Sequence, residues 1–437
     1  MKKLILISFL LAMAMTGQAQ DISEKEKNEV LNEVIRKIEK IYPFPEISEK
    51  TIAGLQTQIS NGVYNGYNSS EFATQVTNSL EEFSKDKHLD LIYNPDLAKA
   101  LIEETESNAS AFTTEEAKTE VWNNYGFKEL SILDGNIGYL NLSVFFSIEY
   151  AGKITDIAMN YFSNSNALII DLKQNGGGWD DMMVYLLGYF VDTKEAPVLN
   201  ISKYTVDNTY YSSIVPTYVP GKKLTDIPIY ILSSPATASA AEAFISNVKY
   251  INKNVKIVGK TTWVAENPVN HFAINENYVL QIPCWKKIYS INPNVWEGIG
   301  INPDIEVETK DAKRIAHLNA LEKLIGTTND KTAIDKFQWA IDGLNASYEN
   351  INPKNIKKYS GNYDKIKIIF NKNKLYYQYG EKPSSQLIPI SENYFVVEGA
   401  DYFRIKFVST DETITMKQIF TYGTEREYRK NKTKRLK

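Results

Sequence analysis

Residues 228–244 read PIYILSSPATASAAEAF, and their pattern indicates a strand, a turn and a helix in succession. The run 228–232 is apolar and rich in β-branched and aromatic residues, as in a buried strand whose first residue is proline. Ser233, Ser234 and Pro235 end that strand, and apolar residues follow helical spacing from Ala240 onward. Ser239 is therefore predicted to lie at the first turn of a helix, where free backbone N–H groups suit a developing oxyanion.

Ser239 by itself admits two interpretations. An isolated serine in this setting is most often an N-cap, whose side chain accepts a hydrogen bond from the first helical turn. It is a nucleophile only if a general base lies within reach, and the chain offers three histidines, His88, His271 and His317. His88 lies among charges where a helix gives way to a strand. His271 begins a strand, where an ordinary alternating side chain is the simplest interpretation, and His317 lies in a helical connector, where it is a surface or packing residue.

The segments around Ser239 repeat the order strand, helix, strand. Strands are predicted at 137–142, 167–172 and 255–258, the second of them fully buried, with helices at 154–162 and from Asp180. This repetition indicates an α/β core from residue 127 to 310. The run Gly176 to Gly178 follows the strand 167–172 at the sheet edge where open α/β sheets bind ligands, so it is a tight turn or an oxyanion donor. It has no phosphate-loop spacing.

The flanking regions have different patterns. Residues 20–126 are predicted to form an N-terminal helical domain and connection, beginning with a capping box at Ser23 and Glu26. Residues 311–358 read as a helical connector. From 359 to 437 the pattern becomes β-hairpins, which predicts a small all-β domain that ends in a basic tail.

Composition limits the function further. Residues 1–19 are predicted to be a cleavable signal peptide, because Lys2 and Lys3 precede an apolar run too short to span a bilayer. The mature protein is therefore expected in a periplasm or outside the cell. Cys284 is the only cysteine, which excludes an internal disulfide and a metal site built from several cysteines. The formal net charge of −4, or −6 without the signal, carries no nucleic-acid signature.

Four segments in order resemble the tail-specific, or C-terminal-processing, serine peptidase family. They are DKHL (86–89), ALIIDLKQNGGG (167–178), ATASAAE (236–242) and NPNVWEGIGINPDI (292–305). The chain is most similar to the branch that includes the tricorn protease core and the modules of interphotoreceptor retinoid-binding protein. The resemblance implies an α/β core resembling the ClpP/crotonase superfold. No separate segment reads as a PDZ domain.

Position by position, the resemblance implies a Ser-His-Glu site. Ser239 would be the nucleophile, His88 the general base and Glu297 the carboxylate that supports the histidine, with oxyanion N–H groups from Gly177 and Ala240. The lysine of the family's serine-lysine branch has no counterpart here, since Lys260 stands at a glutamate position of that branch.

We therefore expect an exported serine endopeptidase that hydrolyses peptides or unfolded proteins through an acyl-enzyme and needs neither a metal nor an organic cofactor. The alternative is a catalytically silent protein that binds peptides or apolar ligands on the same scaffold, because Trp263 to Glu266 replace a glycine-rich stretch of the family. Acyl-CoA chemistry on the shared superfold is a third possibility, against which the set Ser239, His88 and Glu297 weighs. The sequence predicts no nucleic-acid partner. It leaves the oligomeric state open.

Overall fold

The structure is a computed structural model that describes residues 21–107, 118–192, 198–263, 266–349, 351–410, 413–421 and 423–431. The predicted signal peptide, the last residues of the basic tail, and Val264 and Ala265 lie outside the described residues. The chain forms two compact units, with the boundary after Ala316. No helix in the described ranges is long and apolar enough to cross a membrane.

The first unit contains both helices and strands. The helices are α1 (Glu24–Ile41), α2 (Pro45–Ser60), α3 (Ser69–Ser84), α4 (Pro95–Ser107), α5 (Ile148–Tyr161), α6 (Asp180–Leu187) and α7 (Ala240–Ile251), with a 3₁₀ segment at Val121–Gly126. The strands are β1 (Asp90–Tyr93), β2 (Phe127–Leu133), β3 (Ile137–Leu142), β4 (Ala167–Asp171), β5 (Val198–Tyr204), β6 (Tyr210–Ile214), β7 (Ile229–Ser233), β8 (Val255–Gly259), β9 (Val269–Ala273), β10 (Tyr278–Pro283), β11 (Trp285–Ser290) and β12 (Ile305–Glu306). Helix α8 (Ala312–Ile325) continues past the boundary.

A six-stranded sheet organises the first unit, in the order β12-β8-β7-β4-β3-β2. Its strands are parallel except for β2, which pairs antiparallel with β3. Every residue of β4 and β7 is buried, as expected for parallel strands covered on both faces. Because β4 and β7 are neighbours, the loops that follow them emerge side by side at the carboxyl edge of the sheet. The strand, turn and helix predicted around Ser239 are confirmed as β7 and α7.

Two three-stranded antiparallel sheets accompany the main sheet, in the orders β1-β10-β9 and β11-β5-β6. The apolar faces of α1 and α3 share one hydrophobic core with Tyr278, Leu280 and Ile282 of β10. The N-terminal helices are therefore packed onto a strand that lies about 200 residues later in the chain. This packing fixes the segment between α3 and β1, which contains His88.

After the end of α8, the second unit contains α9 (Lys331–Leu344) and α10 (Pro353–Lys357) and continues as an eight-stranded antiparallel meander. Its strands are β13 (Gly361–Tyr363), β14 (Ile366–Asn371), β15 (Lys374–Tyr379), β16 (Ser385–Ser391), β17 (Tyr394–Val397), β18 (Ala400–Ser409), β19 (Ile414–Phe420) and β20 (Glu425–Arg429). The sheet nearly closes into a barrel, because the Asn431 N–H donates to the Asn362 carbonyl at 2.8 Å. Tyr359 and Phe407 stack at its core with ring centroids 4.2 Å apart. The predicted β-hairpins are confirmed.

Candidate active site

Ser239 occupies the N-cap position of α7 with an unusual backbone conformation. Its φ is 52° and its ψ is −121°, whereas ordinary N-cap residues are extended. The carboxylate of Glu242, one turn later, accepts the Ser239 N–H at 3.0 Å, as in a capping box. The N-cap position is thus confirmed, but positive φ in a non-glycine residue costs free energy and is concentrated at functional sites.

Gly177 lies directly against this turn. Its φ is +110°, and a Cβ added there would lie 2.7 Å from the Ser239 Cβ and 3.0 Å from the Ala240 nitrogen. The glycine loop after β4 and the serine turn after β7 are therefore in backbone contact. Only a residue without a side chain permits this approach.

The two predicted oxyanion donors differ in availability. The Gly177 N–H already donates to the Asn175 side-chain oxygen at 2.9 Å, and the Asn175 carbonyl accepts the Ala238 N–H at 3.0 Å. Within the described residues no acceptor is seen for the Ala240 N–H, as is normal for the first turn of a helix. Ala240 therefore offers the unshared donor, and Gly177 offers a donor that an oxyanion would share with Asn175.

A buried carboxylate ties the serine turn to two other loops. Glu242 is fully buried and accepts the Thr262 hydroxyl at 2.5 Å in addition to the Ser239 N–H. The Thr262 oxygen in turn accepts the Ile301 N–H at 2.8 Å. The loops after β7 and β8 and the loop before β12 are thereby held in one arrangement.

His88 lies between two carboxylates. Its Nδ1 is 3.4 Å from Asp86 Oδ1 and 3.8 Å from Glu297 Oε2. Neither contact has hydrogen-bond geometry, so Nδ1 is a buried polar atom without an aligned partner. Burial opposes protonation of His88, but Asp86 and Glu297, with a smaller contribution from Glu242, outweigh it and raise the pKa of the imidazole.

Asp86 is the nearer of the two carboxylates and is rigidly held. Oδ1 accepts the His88 N–H at 2.9 Å, and Oδ2 accepts the hydroxyl of Tyr42, the residue that ends α1, at 2.7 Å. Burial alone would raise the pKa of Asp86, but contacts with His88 and Tyr42 outweigh it and lower that pKa. Asp86 was part of the DKHL segment, yet sequence reasoning assigned it no role. An acidic residue two positions before a candidate base was the available signal.

Glu297 is fixed by hydrogen bonds that run in both directions between its own loop and the loop of Glu266. Its Oε2 accepts the N–H groups of Glu266 and Asn267 at 2.7 and 3.1 Å and the Asn267 side-chain amide at 3.1 Å. Glu266 Oε2 accepts the N–H groups of Trp296 and Glu297 in return. Burial nevertheless raises the pKa of Glu297. Asp86 is therefore the more readily ionised neighbour of His88.

The predicted site residues thus fall into two groups. Ser239, Gly177 and Ala240 form one, and His88 and Glu297, with Asp86, form the other. Glu242 connects them, since it holds the Ser239 N–H and also acts electrostatically on His88. Across the described part of the chain, no hydrogen bond joins Ser239 to His88.

Lys87, the residue before His88, and Trp263 contact each other. The Lys87 ammonium lies 5.2 Å from the centroid of the Trp263 ring, a cation–π distance. The Trp263 N–H donates to the Thr237 carbonyl, two residues before Ser239. Lys87 therefore contacts the loop beside the serine turn. Asp86 and Glu297 each approach His88 directly.

The side chains around His88 have the composition of a metal site. Asp86, His88 and Glu297 each offer one ligand atom, and these atoms lie within 4.8 Å of one another. Three N–H groups already occupy Glu297 Oε2, so a cation would compete with them for that oxygen. His271 and His317 are not members of this cluster. Burial lowers the pKa of His271 to about 4, and His317 is 5% exposed within α8.

A cavity of about 120 Å³ opens beside Ser239; we call it the serine cavity. Ser239, Ala240 and Asn247 line one wall, and Trp285 and Trp296 line another. Glu266 and Asn267, which hold Glu297, also reach it. The volume is close to that of an engineered cavity that holds a benzene molecule, so the serine cavity has room for one side chain.

Three solved structures are similar to this chain at low sequence identity. A lipoprotein from Streptococcus agalactiae is 14% identical with a TM-score of 0.45 over 68% of this chain and 96% of its own. The photosystem II D1 C-terminal processing protease is 12% identical with a TM-score of 0.39 over 66% of this chain and 94% of its own. The tricorn protease is 12% identical with a TM-score of 0.41 over 66% of this chain and 35% of its own.

The sequence comparison is more specific. Residues 136–307 match the profile of peptidase family S41. The match runs from β3 to β12 and contains Gly177, Ser239 and Glu297, whereas His88 precedes it. The serine turn, the glycine loop and the Glu297 loop thus lie within the segment of this chain that is similar to peptidase family S41.

Proposed function

We propose that this protein is an exported serine endopeptidase that cleaves peptides or unfolded proteins with Ser239 as its nucleophile. The observation that carries the proposal is the contact between the strained serine turn and Gly177, with the Ala240 N–H open beside them. A nucleophile on a tight strand-to-helix turn with a backbone donor next to it is the arrangement that acyl transfer requires. Export rests on the pattern of residues 1–19.

In this mechanism His88 removes the Ser239 proton while Oγ attacks the peptide carbonyl carbon. Because Nδ1 faces two carboxylates, the proton of the neutral imidazole belongs on Nδ1, which leaves Nε2 as the base. The carbonyl oxygen becomes an oxyanion beside the Ala240 N–H. The imidazolium then gives its proton to the leaving amine, and water hydrolyses the acyl-enzyme by the same steps in reverse.

Asp86 and Glu297 would both stabilise the imidazolium that forms in each step. Asp86 is nearer to Nδ1 and has the lowered pKa, while Glu297 is held by three N–H groups. We therefore add Asp86 to the Ser-His-Glu set as a second supporting carboxylate. Tyr42 is a positioning residue, since it acts through Asp86.

A catalytically silent peptide-binding protein is the second candidate. It is favoured by the lack of a hydrogen bond between Ser239 and His88 among the described residues, and by the engagement of the Gly177 N–H with Asn175. Catalytic hydrogen bonds often tighten only when substrate binds, so this geometry is compatible with both candidates.

Labelling with a fluorophosphonate probe separates the two candidates. The mature wild-type protein is expected to be labelled, and Ser239→Ala is expected to lose the label because the probe bonds to an activated serine oxygen. Ser60→Ala, which removes an exposed hydroxyl from α2, is the matched control and should label like the wild type. A wild type that resists the probe, or equal labelling of Ser239→Ala, would favour the silent binding protein.

The fall in activity at low pH is predicted to follow the protonation of His88. Its raised pKa means that kcat/KM falls as the pH drops through a value above the ordinary 6.5, because the base must be neutral. Asp86→Asn removes the nearest stabilising charge and should lower that pKa. NMR titration of the three histidines measures the shift without turnover. Asp226→Asn, at an exposed position, should leave it unchanged. An unshifted His88 in Asp86→Asn would exclude the second carboxylate.

A further inference from the structure

Asp180 joins the serine cavity to a larger neighbour. A second cavity of about 630 Å³ shares Asp180, Tyr211 and Ser213 with the serine cavity, and we call it the outer cavity. Asp180 is the first residue of α6, which follows the glycine loop. A side chain that enters from the larger space would therefore pass this carboxylate on its way to Ser239.

The charge around both cavities is negative. Glu149, Asp180 and Asp181 line the outer cavity, and among the described residues no lysine or arginine lines it. Lys287 is the one cationic residue that lines the serine cavity within the described part of the chain, and it is paired with Glu266. Two carboxylates, Glu266 and Asp180, thus line the serine cavity. Glu266 is paired with Lys287, whereas Asp180 has no paired cation among the described residues.

Asp180 is poorly compensated within the fold. The Ser213 hydroxyl donates to its Oδ2 at 2.7 Å, and among the described residues this is the only hydrogen bond to its side chain. Desolvation raises the pKa of Asp180, which shows that the site disfavours an unpaired negative charge. An added cation would relieve that cost.

The remaining walls suit a long side chain that ends in a positive charge. Tyr211 and Trp285 line the serine cavity with their rings 4.9 Å apart in an edge-to-face arrangement. Aromatic walls cover the methylene stem of lysine or arginine and attract its charged end. Met183 adds an apolar contact next to Asp180.

We propose that the serine cavity binds the lysine or arginine side chain of the residue whose carbonyl Ser239 attacks, with Asp180 as its counter-ion. This inference rests on the proposed peptidase function and names the substrate class. Ser213 is the positioning residue that orients the carboxylate.

Paired peptide substrates test the preference. Two fluorogenic peptides differ only at the residue before the cleaved bond, where one has lysine and the other has norleucine, which lacks the ammonium group. The wild type is expected to favour lysine by about 30-fold in kcat/KM, since removing one partner of an enclosed charge pair costs at least that much. Asp180→Asn should abolish the preference, and Asp226→Asn should retain it. An equal lysine preference in Asp180→Asn, or a wild-type preference for norleucine, would overturn the proposal.

A binding measurement separates this proposal from the function on which it rests. Calorimetry with Ser239→Ala compares two product peptides that end in lysine or in norleucine. The lysine peptide is expected to bind about 10-fold more tightly or better, and the difference should vanish in Ser239→Ala/Asp180→Asn. If the wild type resists the fluorophosphonate probe while this difference persists, the peptidase function fails and the cation site stands. If the probe labels Ser239 but both peptides bind equally, the cation site fails alone.

Discussion

His88→Ala is expected to lower kcat by about 10⁶-fold, because losing the base of a serine nucleophile costs nearly as much as losing the whole catalytic set. No other described group shares the position of His88 between Asp86 and Glu297. Steady-state cleavage of the lysine peptide measures the loss. Imidazole in the solution should restore part of the rate, since it can accept the Ser239 proton in place of the missing side chain.

The control for this variant removes another buried imidazole. His317→Ala creates a comparable internal void in α8, outside the cluster around His88, and should keep near-wild-type kcat. Thermal unfolding of both variants separates lost chemistry from lost stability. If His88→Ala retained a tenth or more of the wild-type kcat, the role of general base would have to be given to another group.

Much of the first unit follows from local patterns. The apolar runs of β4 and β7, the glycine loop and the serine turn were predictable because parallel strands are buried on both faces and the loops after them share one edge. Boundaries were less accurate: the helix predicted from residue 154 begins at Ile148. The finer expectation of a core resembling the ClpP/crotonase superfold stays a prediction, as do the signal peptide and export.

The contacts that tune the candidate site were not predictable, because they join residues far apart in the chain. Tyr42 reaches Asp86 across 44 residues, and Glu266 meets Glu297 across 31. The engagement of the Gly177 N–H by Asn175 is local, yet it depends on a backbone conformation that periodicity does not encode. Sequence patterns thus identified the candidate groups. Which of the two carboxylates, Asp86 or Glu297, lies nearer to His88 follows only from the folded structure.

Gly177→Ala is expected to lower kcat/KM by at least about 10²-fold, the scale of losing an oxyanion donor. The new methyl group would lie 2.7 Å from the Ser239 Cβ and 2.9 Å from the Ala238 carbonyl oxygen, so the serine turn must move. The variant also places alanine at φ +110°, where side chains are strained. Clash and strain together should lower the free energy of unfolding by about 2–4 kcal/mol, measured by urea denaturation.

Gly66→Ala separates strain from clash. Gly66 has a φ of +80° and no atom within 4 Å of an added Cβ, so the variant should lose only about 1 kcal/mol of stability and no activity. The difference between the two variants then reports the contact between the glycine loop and the serine turn. If Gly177→Ala hydrolysed peptides like the wild type, the serine turn could shift without loss of activity. The backbone contact between Gly177 and that turn would then no longer support Ser239 as the nucleophile. A large loss of activity with folding retained would instead place Gly177 beside the developing oxyanion.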